Sequence, residues 1–331
     1  GVELVGAGIA YFTAILIATI LTYIFLNRLL PLVGSYQLHS RKMTKFSLPL
    51  IVSTIMSILL TRTDTLMIGF FRASSEVGIY NAAFTLAGIL TIVFNAFGYM
   101  YLPVASRLDN NQTSSVERVY ETTTKWIYLI VFPVFVTLLI FPREIVSIVF
   151  GGEYVSAGTA LAILSVGFFT HAAVGRNRET LSALGATRFI LVSNVLAFII
   201  NIILNLLLIP EYGFIGAAIA SAISYIGLNI TVYLFLRNKF NITPFNRSST
   251  RAVVALPSIL IPVGYIIKNI LPENIIVVLL FSIVMSFLTI LITILVKGLD
   301  PEDTTLLNFI EDTSGIHIPY IRRFIPKKET E

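Results

Sequence analysis

Apolar residues run almost unbroken along this chain in stretches close to twenty residues long, separated by short polar segments. The stretches fall at 4–26, 46–71, 78–100, 126–141, 158–175, 189–209, 214–236, 252–270 and 274–296. About 20 residues of helix are needed to cross roughly 30 Å of hydrocarbon. None of the runs alternates apolar and polar positions with a period of two, which argues against a barrel; a helix satisfies every backbone polar group without water. The pattern predicts an all-α integral membrane protein, a polytopic bundle of about nine transmembrane helices.

Composition agrees with this class and removes others. The chain is 56% hydrophobic and 12% charged, against about 25% charged in soluble domains. Cysteine is absent and the histidines are His39, His171 and His317, so disulfides and thiolate metal sites are excluded and no resident cofactor is expected. The net charge of +5 is not read as a nucleic-acid footprint, because it follows the loops. Segments 27–45, 101–125, 176–188, 237–251 and 297–331 hold 19 of the 23 lysines and arginines. The intervening loops hold only Arg72, Arg143 and Lys268, and Arg62 lies inside a span. By the positive-inside tendency the basic segments and the C-terminus face the cytoplasm, and the first span enters from outside. The Asn-x-Ser/Thr sequences at Asn111, Asn241 and Asn246 then face the cytoplasm too, where glycosylation is not expected.

An internal echo suggests how the spans are grouped. Gly6-Ala-Gly-Ile-Ala10 with Tyr23-Ile-Phe-Leu26 matches Gly216-Ala-Ala-Ile-Ala220 with Tyr233-Leu-Phe-Leu236 at an offset of 210. The first and seventh spans would then be equivalent members of six-helix repeats, a transporter design. The expected domains are 1–27 (last helix of a truncated N-lobe), 46–236 (a six-helix C-lobe), 252–296 (two extra helices) and 297–331 (an amphipathic and basic cytoplasmic tail). Because the chain starts with Gly1 just ahead of a span, the rest of an N-lobe is expected to be missing. Half of any cavity would go with it, so the segment is not expected to function alone.

Several motifs carry a family resemblance. Phe46-Ser-Leu-Pro-Leu-Ile, Arg62-Thr-Asp-Thr-Leu-Met-Ile-Gly69, Glu76-Val-Gly-Ile-Tyr-Asn-Ala-Ala83 and Leu102-Pro-Val-Ala-Ser-Arg107, followed by Phe150-Gly-Gly-Glu-Tyr154, Leu184-Gly-Ala-Thr-Arg188 and the run from Asn201 to Ala218, resemble the oligosaccharide flippases of the multidrug/oligosaccharidyl-lipid/polysaccharide (MOP) exporter superfamily. That resemblance implies two six-helix lobes around a cavity, of which this chain supplies the C-lobe and two extra helices. It also implies a non-enzymatic plasma-membrane flippase that moves a polyprenyl-phosphate- or pyrophosphate-linked oligosaccharide outward by alternating access. Glycosyltransferases or a polymerase would be partners, membrane lipid the surroundings, and an H+ or Na+ gradient the energy source, since no phosphate-binding loop is present. A cation-coupled multidrug exporter of the same superfamily and a non-transporting scaffold for glycan assembly remain alternatives.

Such a substrate needs a polar cavity for sugar and a cation for phosphate. Arg62 is the cation candidate at depth, where an exposed charge costs about 2.5–3.5 kcal/mol on insertion scales. Asp64 lies about 200° away around the same helix, so the two cannot pair and each needs its own partner. Asp64 shares a face with Ser53, Ser57 and Thr61. Asn194, Asn201 and Asn205, spaced seven and four apart, form one face of the sixth span and serve either as cavity lining or as interhelical glue. Asn81 is a further cavity candidate, with Thr85 and Asn95 in the same span. Arg176, Arg178 and Arg188 cluster at a cytoplasmic mouth, to meet phosphate or simply anionic lipid. His171 reads as a hydrogen-bonded packing residue or a proton site. Tyr80, Tyr99, Tyr101, Trp126 and Tyr128 read as interfacial anchors.

Overall fold

The computed structural model describes residues 2–29, 40–107, 113–270, 272 and 274–304. Two compact units emerge, Gly1–Lys45 and Phe46–Glu331. The first holds α1 (Val2–Leu29), whose Thr13, Thr19 and Thr22 hydroxyls donate to the carbonyls of Ile9, Ile15 and Ala18 one turn back. Back-bonding of this kind lets a hydroxyl sit on an apolar helix without an unsatisfied donor.

The second unit is also helical. Its elements are α2 (Ser40–Phe71, which begins in the first unit), α3 (Ser74–Gly88), α4 (Leu90–Arg107), α5 (Thr113–Ile140), α6 (Pro142–Phe150), α7 (Ala157–Val174), α8 (Asn177–Ala183), α9 (Thr187–Phe240), α10 (Arg247–Ile270) and α11 (Ile275–Leu295). Among the described residues eight helices are long and apolar enough to cross a membrane, and α3 with α4, bent by 48° at their junction, makes a ninth. These correspond to the nine apolar runs. The chain is a multi-pass membrane protein. Its core is organised around α7, which packs against α3, α5 and α9. At Gly167 an added Cβ would sit 2.7 Å from the Cα of Ala222, so the α7–α9 approach depends on the missing side chain. Ala217, Ala218 and Ala220 are fully buried, the small-residue packing expected of this stretch.

The two limbs of α9 meet at Gly213, whose φ of 56° and ψ of −136° break the helix. Charges from the α2–α3 turn bind both broken ends. Arg72 donates to the carbonyls of Ile209 (3.1 Å) and Pro210 (2.6 Å), while the Glu76 carboxylate accepts from the backbone N–H of Phe214 (3.1 Å). A cation on a helix C-terminus and an anion on an N-terminus match both the orphan groups and the dipoles.

Helices α10 and α11 pack on α5 and are tied to it by polar bonds at one end. Lys125 Nζ lies 2.8 Å from Asp300 Oδ2 and 2.6 Å from Asp303 Oδ2. Trp126 Nε1 donates to Asp303 Oδ1 at 2.9 Å. Ser248 and Asn246, at the start of α10, both donate to Asp300. Asp303 also accepts from the Asp300 N–H at 2.7 Å, as a residue three positions into a helix start does. The amphipathic and basic segments expected after Thr304 lie outside the described residues.

The aromatic residues differ from expectation. Tyr80, Tyr101 and Tyr128 are buried rather than spread along an interface. Each hydroxyl has found an internal partner, in Asp64, Thr180 and the Val253 carbonyl respectively. A buried phenol is tolerated when its O–H is bonded.

Two outcomes follow. Gly213→Ala should destabilise the protein by at least about 1–2 kcal/mol, because the backbone is left-handed there and the new Cβ would meet the Glu76 carboxylate at 2.2 Å; thermal unfolding in detergent reads this. Burial acts to raise the Asp300 carboxyl, but Lys125, Ser248 and Asn246 outweigh it and hold it below the usual range. A depressed folded value means stability that is complete above the unfolded carboxylate range near about 4 and lost as pH falls through the folded value. The difference in unfolding midpoint between parent and Asp300→Asn should therefore be constant from pH 7 to about 5 and close below about 4.

Candidate functional site

The most elaborate polar cluster within the spans is built on Asp64, which is fully buried. Asn201 and Asn205 donate their Nδ2 to Asp64 Oδ1 at 3.1 and 2.6 Å. Tyr80 donates to Oδ2 at 2.5 Å, and Ser221 donates to the same oxygen. The cluster joins α2, α3 and both limbs of α9. The spacing of four brings Asn201 and Asn205 onto one face, where Asn205 also donates to Asn201 Oδ1 at 3.0 Å. Two turns earlier Asn194 continues the face by donating to Ser53 Oγ at 2.7 Å.

Every donor to Asp64 is neutral, and no cation bonds to it among the described residues. Four hydrogen bonds offset much of the desolvation of a carboxylate but leave its charge unmatched. The amide oxygens of Asn194 and Asn205 are buried and accept no bond. A carboxylate whose partners are amide N–H and hydroxyl donors can still take up a proton, which removes the unmatched charge. No group of three or more His, Cys, Asp or Glu side chains is present among the described residues, so the chemistry of a transition-metal centre is not offered.

Arg62 points the other way. It is exposed on the surface of the unit, as the 200° separation from Asp64 requires, and it makes no hydrogen bond or ion pair with any described residue. One turn on, Thr65 donates to Asn81 Oδ1 at 3.3 Å. Asn81, Thr85 and Asn95 are exposed as well. The structure thus divides the sequence-predicted residues between an inner cluster (Asp64, Asn194, Asn201, Asn205) and an exposed polar face (Arg62, Asn81).

The three arginines expected at a cytoplasmic mouth are not equivalent. Arg176 is buried, bonded to Glu179 Oε1 (3.1 Å) and the Asn95 carbonyl (3.3 Å), with its guanidinium 4.0 Å from the Phe94 ring centroid. It fills the space left by Gly98, where an added Cβ would lie 1.3 Å from its Nη2. Arg178 is half-buried and Arg188 exposed. His171 packs between the rings of Phe94 and Tyr225, with Nδ1 3.3 Å from Asn229 Nδ2.

Sequence reasoning missed Tyr80 and Ser221 as partners of Asp64. The signal available was the need itself: an intramembrane carboxylate demands donors, and Tyr80 lies on the next helix.

Comparison with known proteins agrees with this architecture. Residues 7–159 match a family described as "Polysaccharide biosynthesis protein". Two Haloferax volcanii proteins are similar over part of the chain. The "Probable low-salt glycan biosynthesis flippase Agl15" is 27% identical over 192 residues, covering 56% of this chain and 40% of its own length. The "Probable flippase AglR" is 28% identical over 165 residues, covering 49% and 34%. The solved structure titled "Lipid II flippase MurJ, inward closed conformation" superposes with a TM-score of 0.61 at 15% identity, over 83% of this chain and 59% of that one. These matches agree with the resemblance to oligosaccharide flippases that the sequence motifs carry. At that identity MurJ speaks for the shared helical fold alone. The chain spans less than two thirds of the length of each of these relatives.

The charge on Asp64 can be tested directly. Tyr80→Phe should cost about 1.5–3 kcal/mol, the range for a bond to an ionised group. A double-mutant cycle with Asp64→Asn, read by unfolding in detergent near neutral pH, should give a coupling above about 1 kcal/mol.

Proposed function

We propose that this chain forms one lobe of a flippase that carries a polyprenyl-linked oligosaccharide from the cytoplasmic to the outer leaflet of the plasma membrane by alternating access. The observation that carries the reading is Arg62, a cation within a membrane-spanning helix that is exposed on its unit and unpaired among the described residues. Exposure to hydrocarbon would be costly, and an aqueous cavity receiving an anionic substrate removes that cost. Asn81, which Thr65 bonds, and Thr85 one turn on add groups that hydrogen-bond sugar hydroxyls. In this reading Arg62 meets the phosphate or pyrophosphate and these groups meet the sugar. No bond is made or broken, so the chain acts as a transporter rather than an enzyme.

The Asp64 cluster supplies the coupling. A carboxylate held only by neutral donors gains a proton or Na+ when it is open to one side, and binding changes the packing of α2 and α3 on α9, the helices it joins. The loop charges support a cytoplasmic C-terminus, and the repeat supports the lobe boundaries at 46 and 236. Exposed Arg188, and Arg178 behind it, are placed to meet anionic headgroups before loading. Glycosyltransferases or a polymerase would supply and consume the cargo.

The test is reconstitution of the full-length protein in liposomes with fluorescent lipid-linked sugar and an outer-leaflet quencher. Flipping should accelerate under an H+ or Na+ gradient, fall at least about tenfold in Arg62→Gln and recover in part in Arg62→Lys, since lysine keeps the charge without the guanidinium fork. A protein that flips no faster than empty liposomes under any gradient is not a flippase.

A further inference from the structure

Three cations lie in the loops opposite the basic ones, and the fold uses them unequally. Arg72 is committed to the carbonyls of Ile209 and Pro210. Arg143 and Lys268, distant in sequence, come together at a cavity of about 730 Å³ between α6, α7 and the end of α10, also lined by Glu144, Ser147, Thr159 and Asn274. Loops on that side of a membrane protein carry few lysines and arginines, so gathering the remaining two at one cavity calls for an explanation in ligand chemistry.

The polar groups have spare capacity. Lys268 Nζ bonds to Glu144 Oε1 at 2.9 Å and to the Ile140 carbonyl at 2.8 Å, leaving one of the three ammonium donors. Arg143 is exposed and bonds to no described side chain, so its donors are open. Asn274 caps α11 through Oδ1, which accepts from Val277 N at 2.9 Å, leaving its Nδ2 as a donor. Ser147 and Thr159 add hydroxyls at the wall. Glu144 is the one acidic member. Its side chain is 6% exposed, and its Oε2 is buried without a hydrogen-bond donor. Two cations and one carboxylate leave a single positive charge, which a phosphodiester would neutralise. The orphaned oxygen asks for a donor such as a hydroxyl. Exposed apolar side chains line it as well: Ile148 at 41% and Tyr265 at 49%.

We infer that this cavity binds the phosphate of an ester carrying a nearby hydroxyl, with Arg143 and Lys268 on the phosphate oxygens, the hydroxyl donating to Glu144, and any hydrocarbon chain lying along Ile148 and Tyr265. The site is distinct from the Arg62 face and does not depend on the chain being a flippase. A lipid headgroup and a free phosphate share this chemistry.

The experiment titrates the full-length protein, in phosphate-free maltoside micelles, with short-chain phosphatidylglycerol, sn-glycerol 3-phosphate and inorganic phosphate, using calorimetry. Saturable phosphatidylglycerol binding is expected, weakened about tenfold or more by Arg143→Gln and by the charge-balanced pair Glu144→Gln with Lys268→Gln. Arg143 is exposed, so Arg143→Gln should keep the parent's unfolding midpoint and separate binding from folding. Phosphatidylglycerol binding more tightly than glycerol 3-phosphate identifies a lipid site. Equal affinity for glycerol 3-phosphate or phosphate, lost in the same variants, identifies a free-phosphate site. No saturable binding by any of the three probes overturns the inference, as does binding insensitive to both variants. Binding lost in Arg62→Gln and retained in Arg143→Gln also overturns it, by moving the anion to the other face.

Discussion

The structure depends on satisfying one buried carboxylate without a counter-ion. Asp64 is fully buried inside a helical bundle, and its two oxygens draw donors from α3 and from both limbs of α9. A carboxylate stripped of water is far more costly than any single contact can offset, so helix positions are fixed by the requirement that four donors converge. That requirement explains why Asn201 and Asn205 face inward, and why Tyr80, an interface-type residue by composition, is fully buried. The small residues of the second limb of α9 allow the close approach that puts Ser221 within reach.

The same accounting governs the ends of the helices. The break at Gly213 exposes carbonyls on one side and N–H groups on the other, and the α2–α3 turn answers with Arg72 and Glu76. At another end of the bundle, Lys125 between Asp300 and Asp303 fastens α10 and α11 to α5. Both clamps use charged groups to satisfy helix ends or to close a connection. In both, each cation is spent on partners within the protein, which separates them from Arg62, Arg143 and Lys268, whose donors remain partly or wholly open. Unspent donors mark the surfaces where a ligand adds something the protein lacks.

The flippase reading places function in the contrast between these two states of polar groups. In that reading the inner cluster, complete except for its charge, would respond to a proton or small cation. The open Arg62 face would respond to a larger anionic and hydroxylated ligand. Asp64 and Arg62 are two residues apart on one helix, so in that reading occupancy of the first would alter the helix that presents the second, the mechanical link that alternating access requires.

Much of the fold was written in the sequence. Hydrocarbon thickness and the need to satisfy backbone groups set the length and type of each span, so the nine runs emerge as eight crossing helices and a bent pair. Helical periodicity placed Asn201 with Asn205, and Arg62 opposite Asp64, because 100° per residue holds wherever the helix is regular. Contacts between helices were not legible in this way. Nothing in the local pattern distinguishes Tyr80, buried on a carboxylate, from a tyrosine at a membrane interface. Nor does it show that Arg176 fills the space above Gly98, or that Arg143 and Lys268 share a cavity while Arg72 does not. Sequence fixes which groups must be satisfied, since that cost is local and chemical; only the tertiary packing decides which partner satisfies each one, since that depends on which helix faces meet.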